Sequence, residues 1–177
     1  MKLKNFFFDT SYQKILNFLS SNPNRTFFDR EIAQKTKVSR GATNLALRKL
    51  AQAGLIILEK KGRMSFYSVD LNNPIIRQWK VLNNILELHQ LKEKLKKISE
   101  KIILFGSAAE GRNIKESDID IFVITGFPQK ANEIISKSKR KIQLISKKSL
   151  EFVELKEKDP IFYDEVMKGI VLWEKSN

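Results

Sequence analysis

The stretch FGSAAEGRNIKESDIDIFVI, residues 105–124, places two aspartates one residue apart, after a Gly-Ser step and a polar loop. The segment SDIDIFVIT reads as a strand, and side chains alternate across a strand. Asp118, Asp120 and Phe122 therefore share one face, and Ile119, Ile121 and Val123 the other. Two like charges at neighbouring positions of one face repel, and packing gains nothing from them. A divalent cation removes the conflict. Magnesium takes hard oxygen ligands and is held by one or two carboxylates together with substrate phosphates, and manganese can take its place. Gly106 and Ser107 stand where the apolar strand Ile102 to Phe105 stops and a short helix through Ala108, Ala109 and Glu110 begins, so they offer backbone N–H groups and a hydroxyl to a triphosphate. The chemistry these residues suit is binding of a nucleoside triphosphate with Mg2+: Asp118 and Asp120 hold the metal, and Gly106 and Ser107 hold the nucleotide.

GSAAEGRNIKESDID resembles the Gly-Ser, spacer, Asp-x-Asp signature of the DNA polymerase beta-like nucleotidyltransferases. The segment from about residue 101 to Lys175 is similar to their smallest branch, the minimal nucleotidyltransferases, and IFYDEVMKGIVLWEK resembles the closing helix and strand of that branch. The resemblance implies a mixed α/β domain in which Asp118 and Asp120 are catalytic as well as metal-binding. It also implies a third carboxylate on a following strand. The matching strand here is RKIQLIS, which puts Gln143 at that position. A glutamine ligates weakly through its carbonyl oxygen and is no general base near neutral pH. A shifted alignment would recruit Glu151 or Glu154 instead. Two functions stay open at this stage: a domain that binds nucleotide with impaired transfer, and an active transferase that moves a nucleoside monophosphate to a protein or small-molecule hydroxyl, as in a toxin–antitoxin pair.

The residues upstream must be placed by a different set of elements. SYQKILNFLSS carries Tyr12, Ile15, Leu16 and Leu19 at helical spacing, and Asn22-Pro23-Asn24 ends it. FFDREIAQKT reads as a second helix with Phe28, Ile32 and Ala33 inward, followed by a tight turn at Lys37-Val38. Ser39 is placed to cap a third helix, SRGATNLALRKLAQAG, whose Ala42, Leu45, Ala46 and Leu50 form the expected buried stripe. LIILEKK and RMSFYSVD then read as two strands joined at Lys61-Gly62-Arg63, a hairpin with a basic tip.

This order, from Ser11 to about Asp70, is similar to the winged helix-turn-helix of MarR-like and ArsR-like regulators, and the resemblance implies double-stranded DNA as partner. On the expected register Ser39, Arg40, Thr43, Asn44 and Arg48 face outward to the major groove, and Lys60, Lys61 and Arg63 meet phosphates at the wing. The alternatives are a solvated helix face and a winged helix that serves protein contacts. Charge favours DNA: residues 1–80 hold 15 Lys and Arg against 5 Asp and Glu, whereas residues 81–177 hold 18 against 15.

After Asn73-Pro74, from Ile75 to about Lys101, the chain lacks glycine and proline, and apolar residues recur at steps of three and four, which predicts one long helix. Its stripe changes phase near Leu86 to Leu88, as a helix serving first one domain and then another, or a homodimer partner, would do. The expected fold class is α+β with two domains: a winged helix over 1–74, a connecting helix over 75–100, and a nucleotidyltransferase-like domain over 101–177. The absence of cysteine excludes disulfide and thiolate chemistry, and no apolar run approaches about 20 residues, so the expectation is a cytoplasmic protein without membrane contact.

Overall fold

The computed structural model describes residue 7 and residues 9–176, and the chain divides into two compact units between Asn83 and Asn84. The first unit opens with α1 (Ser11–Ser20), whose N-terminus is closed by a capping box in which Thr10 and Gln13 satisfy each other's backbone N–H groups. A two-residue strand β1 (Phe27–Phe28) precedes α2 (Asp29–Thr36), and α3 (Arg40–Gln52) follows after Lys37, whose left-handed φ of 57° makes the tight turn. Strands β2 (Ile57–Lys61) and β3 (Met64–Ser68) form the hairpin, and the sheet order is β1-β3-β2.

Lys61 pairs with Met64, so Gly62 and Arg63 form a two-residue turn. Gly62 adopts φ +60° at the first central position, the requirement of a type II′ hairpin turn whose twist suits the flanking strands. The core of this unit is Ile15, Leu16, Leu19, Phe27, Ile32, Ala46, Leu47, Leu50, Ile56, Val69 and Ile76.

Two expectations are corrected here. FFDREIAQKT is not helical throughout: Phe27 and Phe28 pair with Tyr67 and Phe66, and Phe27 rather than Phe28 enters the core. The buried stripe of α3 is Thr43, Ala46, Leu47 and Leu50, and Leu45 is 51% exposed. Two stripes at helical spacing run along α3, one containing Leu45 and one containing Leu47. The second one packs, with Thr43 as its small member.

Helix α4 (Pro74–Leu95) contributes its first turns to the first unit and its remainder to the second. The second unit holds β4 (Lys101–Phe105), the single-turn α5 (Gly106–Ala109), β5 (Ile119–Ile124), α6 (Pro128–Ser136), β6 (Ile142–Lys147), α7 (Ser149–Lys158), α8 (Pro160–Met167) and β7 (Ile170–Glu174). Its four-stranded sheet has the order β6-β5-β4-β7; β5 and β6 are parallel and the other pairs antiparallel. Each face of the sheet has its own core. Ile102, Leu104, Ile119, Ile121 and Val123 pack with Leu88, Leu95 and Ala131 on one side, and Ile103, Phe105, Phe122 and Ile124 with Leu155 and Val166 on the other. The central strands β4 and β5 are near-continuously apolar because both of their faces are covered by packed side chains. Polar residues are therefore conspicuous where they interrupt β5.

Candidate functional site

Asp120 lies cross-strand from Phe105 on β4 and from Gln143 on β6, so the end of β5 brings the Gly-Ser turn, the aspartates and the glutamine together. Gly106 adopts φ +62°, and a Cβ built on it would lie 2.7 Å from Asp120 Oδ2. Only a residue without a side chain allows the carboxylate to rest against the turn. Asp118 and Asp120 are both partly exposed, and Phe122 of the same face is buried in the second core, which follows the alternation expected of the strand. Burial raises the Asp120 carboxyl above its ordinary pKa, and the negative charges of Asp118 and Glu165 push it the same way. Glu165, on α8, is a carboxylate that sequence reasoning missed. Phe162, one turn earlier, packs on Phe105 at 5.8 Å and Phe122 at 6.2 Å, and this contact aims that helix face toward Asp120.

Gln143 is exposed, and the parallel register with Asp120 puts it on the same face as both aspartates. Glu151 and Glu154 are engaged elsewhere: Glu151 accepts from the Lys148 backbone N–H at 2.7 Å, and Glu154 pairs with Lys158 at 2.6 Å. Among the described residues no group of three or more His, Cys, Asp and Glu side chains is arranged to hold a metal. The donor set fits one hard cation bound by two carboxylates with phosphate oxygens completing its shell, and does not fit a cage of three carboxylates.

The loop from Gly111 to Ser117 is held from both sides. The Ser107 carbonyl accepts from the N–H groups of Arg112 and Asn113, at 2.9 and 3.2 Å. Asn84 and Asn113, both buried, exchange amide hydrogen bonds, and Asn84 also donates to the Ala108 carbonyl at 2.8 Å. Arg140, just before β6, donates to the carbonyls of Lys115 and Ile114. None of these three positioning residues carries a motif signal, because their partners lie 24 or more residues away in sequence.

In the first unit, the Ser39 hydroxyl caps α3 by accepting from the Ala42 N–H, and Arg40, Asn44 and Arg48 are exposed on one flank of that helix. Thr43, expected on the same flank, is fully buried and faces the core, so it cannot meet a base edge. Leu45 stands exposed in its place, and its type pointed inward, which is why sequence missed it. Lys60, Lys61 and Arg63 are exposed at the wing, with Lys61 3.3 Å from Glu59 and over the Phe66 ring.

Two families match the chain. The polymerase beta nucleotidyltransferase family covers residues 83–177, and the winged helix-turn-helix DNA-binding family covers residues 9–57. No curated protein matches the sequence. No described helix is long and apolar enough to cross a membrane.

Proposed function

Because the chain belongs to the polymerase beta nucleotidyltransferase family and carries a winged helix-turn-helix DNA-binding domain ahead of it, we propose that it is a cytoplasmic transcriptional regulator whose nucleotidyltransferase-like domain binds NTP-Mg2+ and thereby changes DNA affinity. The observation that carries this reading is the register of β5 and β6, which sets Gln143 rather than a carboxylate beside Asp120. Asp118 and Asp120 would hold the metal. Bound there, Mg2+ would neutralise phosphate charge and orient the triphosphate. Gly106 and Ser107 present the turn against which the phosphates rest, and Asp120 is kept at that turn by the missing Cβ of Gly106. Gln143 cannot take a proton from an attacking hydroxyl, so binding outlasts efficient transfer.

For DNA, Arg40, Asn44 and Arg48 are the residue types that reach base edges in the major groove, and Lys60, Lys61 and Arg63 meet phosphates. We assign 1–74 to the winged helix, 101–177 to the nucleotidyltransferase-like domain, and 75–100 to a connector that is no unit of its own, its first turns belonging to one compact unit and its remainder to the other. A homodimer would present two such helices to two half-sites, and the apolar groove of about 430 Å3 along Pro74, Ile75, Gln78, Trp79 and Leu82 is the surface we assign to it.

The test is a duplex-DNA titration with and without ATP and Mg2+. DNA affinity that shifts with ATP-Mg2+ in the wild type and not in Asp118→Ala supports the regulator, and affinity that ignores nucleotide counts against it. Glu165 favours a second reading, active transfer of a nucleoside monophosphate, because it adds a carboxylate charge near Asp120. Labelled ATP that leaves its label on an acceptor, and fails to do so after Asp120→Ala, would establish that reading.

A further inference from the structure

The metal-binding face carries a cation of its own. Lys141 Nζ lies 2.8 Å from Asp118 Oδ1. The pairing follows from the strand register: the Ile119 N–H donates to the Lys141 carbonyl at 3.1 Å, so Lys141 sits beside Asp118 as Gln143 sits beside Asp120. Lys141 directly precedes β6 and continues its pairing with β5, and residues two apart along such a segment share a face, so this end of the sheet presents an ammonium and a neutral amide to the two carboxylates. The formal charge of these four side chains is −1. A carboxylate in place of Gln143 and a neutral residue in place of Lys141 would make it −3.

We propose that Lys141 is a tethered cation which occupies Asp118 in the absence of metal, and that Mg2+ enters the carboxylate pair only by displacing it. The inference deepens the NTP-Mg2+ reading and rests on it. A divalent ion between Asp118 and Asp120 would stand within a few ångströms of Nζ, where like charges repel strongly even in a wet environment. The ammonium must then leave. Its side chain is 77% exposed, so water receives the charge at little cost, and the four-carbon stem lets Nζ swing out with no backbone movement. The same exposure keeps the ion pair weak, so the exchange is reversible. Metal uptake is thereby set to a weaker affinity than two free carboxylates would give, and rises when phosphate oxygens enter with the metal.

The experiment titrates Mn2+ into the full chain and counts free ion by electron paramagnetic resonance, for the wild type, Lys141→Met, Lys137→Met and the double variant Asp118→Asn/Lys141→Met. Lys137 is an exposed lysine at the end of α6 that controls for net charge. Lys141→Met should bind Mn2+ roughly threefold to tenfold more tightly than the wild type, a gain that shrinks with added salt. Lys137→Met should match the wild type, and the double variant should lose the gain. If the wild type binds Mn2+ and Lys141→Met binds no more tightly, or Lys137→Met gains as much, the tethered-cation inference is overturned and the NTP-Mg2+ reading stands. If neither the wild type nor Lys141→Met takes up Mn2+, both are overturned.

Discussion

Replacing Gly106 by alanine separates what the Gly-Ser turn contributes to folding from what it contributes to binding. The φ of +62° is left-handed, where an L side chain costs about 1–2 kcal/mol. The new Cβ would also lie 2.7 Å from Asp120 Oδ2, closer than such contacts come. That oxygen is the far end of a flexible side chain, so the carboxylate turns away, at about 0.5–1.5 kcal/mol for a rotamer strained by some 30°. Gly106→Ala should therefore lose about 2–3 kcal/mol of stability in urea unfolding, and Mn2+ affinity should fall by about tenfold or more because the proposed ligand Asp120 has been re-aimed. Gly169→Ala is the contrast. Its Cβ would meet Leu104 O at 2.5 Å, Ile103 Cγ2 at 2.7 Å and Val166 O at 2.9 Å, two of them backbone atoms that cannot step aside. Overpacking there costs about 1–3 kcal/mol or more, with Mn2+ affinity kept under conditions where the variant is folded. Gly126, with nothing within 4 Å of a built Cβ, should tolerate alanine on both counts. A Gly106→Ala protein that is destabilised as expected yet binds Mn2+ like the wild type would refute the claim that the turn aims Asp120.

Three further outcomes are expected. Lys80 is buried, donates to the Ser20 carbonyl at 3.1 Å, and burial lowers its pKa from 10.5 to about 8. Its folded pKa lies below its unfolded one, so charged Lys80 costs about 3 kcal/mol below pH 8, and wild-type stability rises as pH goes from 8 to 10.5. Thermal unfolding of Lys80→Met should show a stability relative to the wild type that is more favourable at pH 7 than at pH 10; a difference that does not shrink as pH rises from 7 to 10 contradicts this. Lys60→Ala/Arg63→Ala should reduce the salt slope of duplex-DNA binding by up to about 1.8, and an unchanged slope would remove the wing from the phosphate contacts. Asn84→Ala removes the hydrogen bonds to the Ala108 carbonyl and to the Asn113 amide, so urea unfolding should show a loss of about 1–2 kcal/mol, with the Asn84→Ala/Asn113→Ala double variant well short of additive.

What sequence could disclose divides along the range of the interactions. The alternation of SDIDIFVIT assigned Asp118 and Asp120 to one face, Ser39 could be read as the cap of α3, and Gly62 as the turn of the hairpin, because each depends on neighbours a few residues away. α3 was harder. Leu45 and Leu47 both sit at helical spacing, and hydrophobicity alone prefers Leu45 to Thr43 as a core residue; the packing against α1 and α2 decides for Thr43 and Leu47. A two-residue strand such as β1 has no periodicity to detect, and it exists only because Phe66 and Tyr67 are there to pair with it. The Lys141–Asp118 contact needed the parallel register of β5 and β6, and the Asn84–Asn113 pair needed a helix laid against a loop 29 residues away.

The way Arg140 holds the loop ahead of Asp118 has a consequence for how this chain can change over time. Its guanidinium grips the carbonyls of Ile114 and Lys115, and a carbonyl is the same whatever side chain it carries. The identities of residues 114 and 115 are thus free to drift as far as this grip is concerned, while the spacing between Asn113 and Ser117 is not, since an inserted residue would carry the gripped carbonyls out of reach. Among relatives, substitution should be common in that loop and insertion rare, with variation in length displaced to segments that no arginine spans.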